Sequence, residues 1–234
     1  MIYLMLLHNH MPVAFVTGAN RGIGFELVRQ LLEQNYTVHA TYRSSMGGLE
    51  GLVHPNLHCH RMDVRDASQI KPTLERVSTP IDLLINNAGI ADGRWASVEE
   101  IDFEVVSNVM EVNAIAPVRV TQFALPLLVK NGGKVVMITS LMGSIEDCAS
   151  GRSYAYRASK TALNMFTTAM KSELQERGVA VMLIHPGWVE TDMGGPNAPL
   201  QASESVTGIL TQINEQTLAT TGRFVDYAGN NLPW

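Results

Sequence analysis

Cysteine is scarce: Cys59 and Cys148 are the only two in 234 residues. They are too few and too far apart to staple a chain of this size, so a reducing, cytoplasmic setting is expected. Long apolar runs are missing as well, and no stretch reaches the roughly 20 residues that a membrane-spanning helix requires. The head MIYLMLLHNHM is apolar but short, with no Lys or Arg before its apolar run. Residues 1–11 therefore read as an N-terminal extension rather than a secretory signal. Excess positive charge is absent too: the net charge of −5 and pI near 5.8 offer no general attraction to nucleic acid or an anionic membrane. Small molecules are the expected partners. Internal repeats, low-complexity tracts and interdomain linkers are all lacking. With 46% hydrophobic and 17% charged residues, residues 12–234 suit one domain with a substantial core.

What is present is a regular alternation. Apolar, β-branched runs recur at 13–17, 37–41, 57–62, 82–86, 134–140, 179–185 and 223–226. Stretches with helical periodicity lie between them, among them 23–34, 105–130 and 156–178. This order predicts an α/β fold: a doubly wound sheet of about seven parallel strands, joined by right-handed crossovers and covered by helices on both faces. The Gly/Pro-rich GGPNAPL (194–200) follows a strand's carboxyl end, where open α/β sheets bind ligands, and marks 188–202 as a candidate substrate loop.

VAFVTGANRGIGFELV is a strand, a glycine turn and a helix start, with Gly18, Gly22 and Gly24 in the turn. Glycine permits positive φ and close backbone approach, and the helix behind it offers free N–H groups to a phosphate. The spacing G-x-x-x-G-x-G differs from the common dinucleotide fingerprint. TGANRGIG, with Asn20, Arg21 and Ile23 between and beside its glycines, instead resembles the cofactor turn of the short-chain dehydrogenases/reductases, a Rossmann-type family. NNAG (86–89), ITSLMG (138–143), YRASK (156–160) and HPGWVETDM (185–193) resemble further segments of that family, in its order.

The resemblance implies a nicotinamide cofactor. No acid occurs from Thr37 to Gly48 to accept a ribose 2′-hydroxyl, whereas Arg43 follows the second strand and Arg21 precedes the second turn glycine. Arginine can hold a 2′-phosphate, so NADP(H) is expected over NAD(H), against the plainer reading of two solvated arginines. Asp63 and Val64 resemble the family's adenine contact. Asn87, Ala88 and Gly89 resemble its adenosine-side wall, and Pro186, Gly187, Val189 and Thr191 its nicotinamide-end segment.

Tyr156 and Lys160 stand four residues apart on a predicted helix and so share a face. A phenol can give a proton to a developing alkoxide, and an ammonium alongside favours the ionised phenol that the reverse reaction requires. The resemblance completes a set with Ser140, which would hydrogen-bond the substrate oxygen, and Asn113, which would position a water for proton relay through Lys160. In the family Tyr156 and Lys160 also contact the cofactor. The segment 140–156 and the tail TGRFVDYAGNNLPW resemble C-factor and Sniffer-type carbonyl reductases. That implies reduction of small aldehydes, ketones or quinones, with Met142, Tyr154, Trp188 and Met193 as candidate pocket neighbours. A nucleotide-binding signalling or scaffold role is the alternative. Family resemblance further implies a homodimer or homotetramer through the long helices.

Other clusters carry less. His58 and His60 share a strand face, but no complementary ligand set accompanies them and no metal is expected. Ser140 with His185 lacks the G-x-S-x-G elbow of a hydrolase.

Overall fold

The computed structural model describes residues 11–93 and 95–234. The 1–11 extension lies, apart from Met11, outside the described residues. Seven strands form one all-parallel sheet: β1 (Val13–Val16), β2 (Thr37–Tyr42), β3 (Leu57–Arg61), β4 (Leu83–Asn86), β5 (Lys134–Ile138), β6 (Ala180–His185) and β7 (Arg223–Asp226). They run in the order β3-β2-β1-β4-β5-β6-β7. The expected strands all form, within two residues at either end. Their near-continuous apolar character has a direct cause: alternate residues serve two cores, so neither face can be polar. Ala14, Val16, Val38, Val136 and Ile184 face helices α1 (Gly22–Glu33) and α6 (Ala202–Glu215). Phe15, Leu84, Val135, Met137 and Leu183 face α2 (Ala67–Leu74), α4 (Ala116–Ala124) and α5 (Tyr154–Glu176).

The single helix expected over 105–130 is a correction. The chain instead makes α3 (Phe103–Met110), a π-helical turn at Glu111–Ile115, and α4, which ends at Ala124. Pro117 supplies the reason. An unbroken helix needs an N–H at this position to donate to the Asn113 carbonyl, but proline has none, and its ring would press on that carbonyl. The register widens to i→i+5 at this point, with the Ala116 N–H on the Glu111 carbonyl. Pro126 then keeps the helix from continuing. Asp102 caps α3 by accepting from Glu104 N and Val105 N.

The strand order reverses direction between β1 and β4, so the loops leaving these two strands diverge and open a crevice at their carboxyl ends. No helix among the described residues is long and apolar enough to cross a membrane.

Three histidines sit inside this frame. His39, His60 and His185 are each held near pKa about 4, chiefly by burial, which disfavours the charged ring. An unfolded histidine titrates at about 6.5, so between those values the unfolded chain binds more protons and stability rises with pH. The melting temperature is expected to be level between pH 7 and 8 and to fall steadily from pH 6.5 to 4. A flat profile through that window would contradict neutral burial of these rings.

Candidate active site

The crevice is a cleft of about 610 Å³. Its floor is made where two loops are stitched together. Thr17 Oγ1 accepts from Asn87 N and Ala88 N, at 3.0 and 3.1 Å, and Asn87 Nδ2 donates to the Thr17 and Gly18 carbonyls, both at 3.0 Å. This close approach explains the turn glycines. Gly18 has φ +62°, and a Cβ there would stand 2.8 Å from Ala88 Cα. Gly24 has no room for a Cβ against the Gly18 carbonyl and Asn87. Behind the turn, α1 starts at Gly22 with no side chain capping it, so its leading N–H groups have no side-chain acceptor.

Most residues expected to line a cofactor site meet in this cleft. Gly18, Asn20, Arg21, Gly22, Ile23 and Gly24 form one wall; Arg43, Asp63 and Val64 stand at the β2–β3 end. Asn87, Ala88 and Gly89 form the floor, with Lys160 Nζ beside Gly89, Thr191 against Gly22, and Tyr156 and Pro186 also lining the cleft. Gly187 and Val189 are outside the wall. Gly187 turns with φ +84° against Leu200 and Tyr227, and Val189 is buried in a bridge to Leu200.

The cations of the cleft differ in their engagement. Arg21 Nη1 pairs with Asp192 across 171 residues. Arg65 is held by Asp63 at 2.7 Å, and this guanidinium keeps the Asp63 carboxyl below its usual range. The Arg43 side chain has no ion-pair or hydrogen-bond partner among the described residues, although its carbonyl accepts from Arg61. Asp192 and Ser44, another wall residue, were not anticipated. The Arg21–Asp192 contact joins segments that sequence spacing does not relate.

Tyr156 and Lys160 lie on one face of α5, with Lys160 Nζ 5.7 Å from the centroid of the Tyr156 ring. Lys160 is 4% exposed and donates to the Ile138 carbonyl at 2.8 Å. Burial lowers its pKa to about 8. Asn113 is fully buried in the π turn, and its side chain is committed. Its Oδ1 accepts from Ile90 N at 2.9 Å, while its Nδ2 donates to the Ile90 carbonyl and to Ser159 Oγ. Ser159 Oγ in turn donates to the Tyr156 carbonyl at 2.8 Å. Asn113 therefore ties the loop after β4 to the helix bearing Tyr156. Neither Asn113 nor Ser140 is part of the cleft wall itself. Ser140 follows β5 after Thr139, and its Oγ accepts from Met142 N at 3.1 Å, which leaves its O–H free to donate elsewhere.

Two further segments frame the site. Ser144 Oγ and Glu146 N both donate to the Trp234 carbonyl, so the tail straps the loop after Ser140. The 188–201 segment is braced on itself by the Val189–Leu200 bridge, by Trp188 Nε1 on the Gly194 carbonyl, and by Gln201 on Glu190. Of the candidate pocket neighbours, Met193 lines the cleft, while Met142, Tyr154 and the half-exposed Trp188 stand outside its wall.

A family model described as short chain dehydrogenase matches residues 12–201. The chain belongs to the short chain dehydrogenase family. It is an oxidoreductase of Rossmann-type fold. Among curated proteins it is 44% identical to the C-signal protein of Myxococcus xanthus over 157 residues, which is 66% of this chain and 93% of that one. Among solved structures it resembles an NADPH-bound carbonyl reductase from chicken fatty liver, with 34% identity, a TM-score of 0.89, and coverage of 96% and 99% of the two chains. It also resembles the carbonyl reductase Sniffer of D. melanogaster, at 30% identity, a TM-score of 0.91, and coverage of 96% and 100%.

A charge kept at Lys160 is a stability cost within this short chain dehydrogenase. Lowering a lysine from 10.5 to about 8 corresponds to on the order of 3 kcal/mol. Lys160→Met removes that cost and loses a hydrogen bond worth about 1 kcal/mol. Its melting temperature at pH 7 is expected to equal or exceed that of the unsubstituted protein. The unfolded state binds more protons than the folded one between pH 8 and 10.5, so the gap should close as pH rises through that range. A drop of several degrees at pH 7 would contradict the assignment.

Proposed function

We propose that this oxidoreductase uses NADPH in preference to NADH to reduce a small aldehyde, ketone or quinone, with Tyr156 as the proton donor. The observation that carries this reading is a lysine buried beside a phenol, on one helix face, at the wall of a cleft built around a glycine turn. The residues present suit a dinucleotide. Uncapped N–H groups of α1 can take a pyrophosphate, and Arg43, whose guanidinium makes no hydrogen bond or ion pair among the described residues, can take a 2′-phosphate. NADPH supplies a hydride when bound.

The protein's own groups handle the oxygen. The Ser140 O–H donates to the carbonyl oxygen as negative charge develops on it, and Tyr156 gives that oxygen its proton. Lys160 lowers the cost of the phenolate left behind through its charge, and its remaining N–H groups can bond the cofactor ribose. With its side chain committed to Ile90 and Ser159, Asn113 acts as a positioning residue that fixes α5 against the loop after β4. The proposed unit is a domain over residues 12–234 with 188–202 as its substrate loop. A cytoplasmic location suits its two free cysteines, one of them exposed. Met165 and Phe166, exposed on α5, support a homodimer or homotetramer. Similarity to C-signal supports a second reading, signalling with little turnover.

Purified protein is expected to oxidise NADPH with a panel of small carbonyl compounds. Tyr156→Phe should cost about 10²–10⁴-fold in kcat while NADPH affinity stays within a few fold. Unchanged turnover would remove Tyr156 as the acid, and tight NADPH binding without turnover on the whole panel would favour signalling. Loss of charge at Lys160 should also depress turnover as pH rises above about 8. By calorimetric titration, Arg43→Ala is expected to weaken NADPH binding about tenfold or more and leave NADH unaffected. Equal losses for both cofactors would refute the role given to Arg43.

A further inference from the structure

The sheet face that carries Val13 and Phe15 into the core changes character at its β2–β3 edge. In register with Phe15 stands His39, and beside it on β3 are His58 and His60, the latter opposite Thr41. α2 ends at Leu74, and the chain beyond it brings Arg76, Ser78 and Thr79 over these rings. Between them lies a cavity of about 330 Å³ toward the amino ends of the strands, away from the dinucleotide cleft.

The wall is rich in donors. His39 Nδ1 and His60 Nε2 are 2.9 Å apart, so one ring donates to the other, and His58 stacks on His39 at 4.8 Å. The outward nitrogens of the pair, His39 Nε2 and His60 Nδ1, have no partner among the described residues, and neither has the Arg76 guanidinium. No carboxylate belongs to the described wall. The nearby acids are engaged elsewhere: Asp82, behind the wall, accepts from Val13 N at 2.7 Å, and Glu75 faces Lys71. No group of three or more His, Cys, Asp or Glu among the described residues is placed to hold a metal ion.

We propose that this cavity binds a small tetrahedral oxyanion, a phosphate ester or free phosphate, between Arg76 and the His39–His60 pair. Arg76 supplies a permanent charge in a fork that matches two oxygens, and the hydroxyls of Thr37, Ser78 and Thr79 supply neutral donors. The imidazole pair supplies a proton-linked grip. With both rings neutral and one hydrogen bond between them, one outward nitrogen carries a proton and the other is bare. A single proton taken from water turns both outward nitrogens into donors. In the free protein burial opposes that step, as do Arg76 beside His60 and His58 beside both rings, and each ring titrates near about 4. A bound dianion reverses the balance, so anion and proton bind together.

Sulfate, doubly charged throughout the range, is the probe, titrated at constant ionic strength and read from the ring Cε1–H resonances of His39 and His60. His39→Gln and His60→Gln assign the signals. Saturable shifts are expected, with affinity at least about tenfold higher at pH 5.5 than at pH 8, and an apparent pKa in saturating sulfate at least about 2.5 units above the free value of about 4. Arg76→Ala should weaken binding about tenfold, Arg76→Lys should restore part of it, and Arg43→Ala should change nothing. Ring titration curves identical with and without sulfate would overturn the proposal. So would shifts that survive Arg76→Ala, which would place the ion elsewhere, as an adventitious ion only. Glycerol 3-phosphate and inorganic phosphate then separate the two sources: tighter binding of the ester assigns a phosphorylated metabolite, and equal binding assigns free phosphate.

Discussion

The site depends on one contact, the seam that Thr17 and Asn87 make between the loops leaving β1 and β4. Those loops part because the sheet winds in opposite directions on either side of this point. A parting without a tie would leave two independent loops. Hydrogen bonds from one side chain to two carbonyls, answered by a hydroxyl that accepts two amides, make the floor one piece. The demand for glycine at 18 and 24 follows from how near that seam brings the two backbones.

Onto this floor the protein brings a charge that its interior disfavours. Lys160 donates to one carbonyl, stands near one aromatic ring and is almost sealed from water. Low dielectric surroundings make the cation costly, and they also make its field on a neighbouring phenol strong. Cost and use share a cause. The π turn at Glu111–Ile115 belongs to the same arrangement, because it buries Asn113 where its amide can clamp Ile90 and Ser159 at once.

Much of this was legible in the residues. The strands showed as apolar runs because both of their faces are covered, and the glycine turn and the Tyr156–Lys160 spacing report backbone approach and helix periodicity, which are local properties. Pro117 and Pro126 were equally visible, but apolar periodicity across 105–130 outweighed them, and the breaks that seat Asn113 were missed. α2 is short and contains Pro72, which blunts its helical signal. Contacts between distant segments left no trace in spacing. Asp192 reaches Arg21 only once the sheet is assembled, and His39 joins His58 and His60 only through strand register.

The 188–201 segment closes on itself through a bridge between its ends and a tryptophan latched to a glycine carbonyl. Such a unit carries most of its own support. Its middle, from Gly195 to Asn197, can therefore lengthen, shorten or change composition across evolution without unsettling β6 or the helix that follows. As the proposed substrate loop, this hoop would let the choice of admitted molecule drift while the sheet stays unchanged.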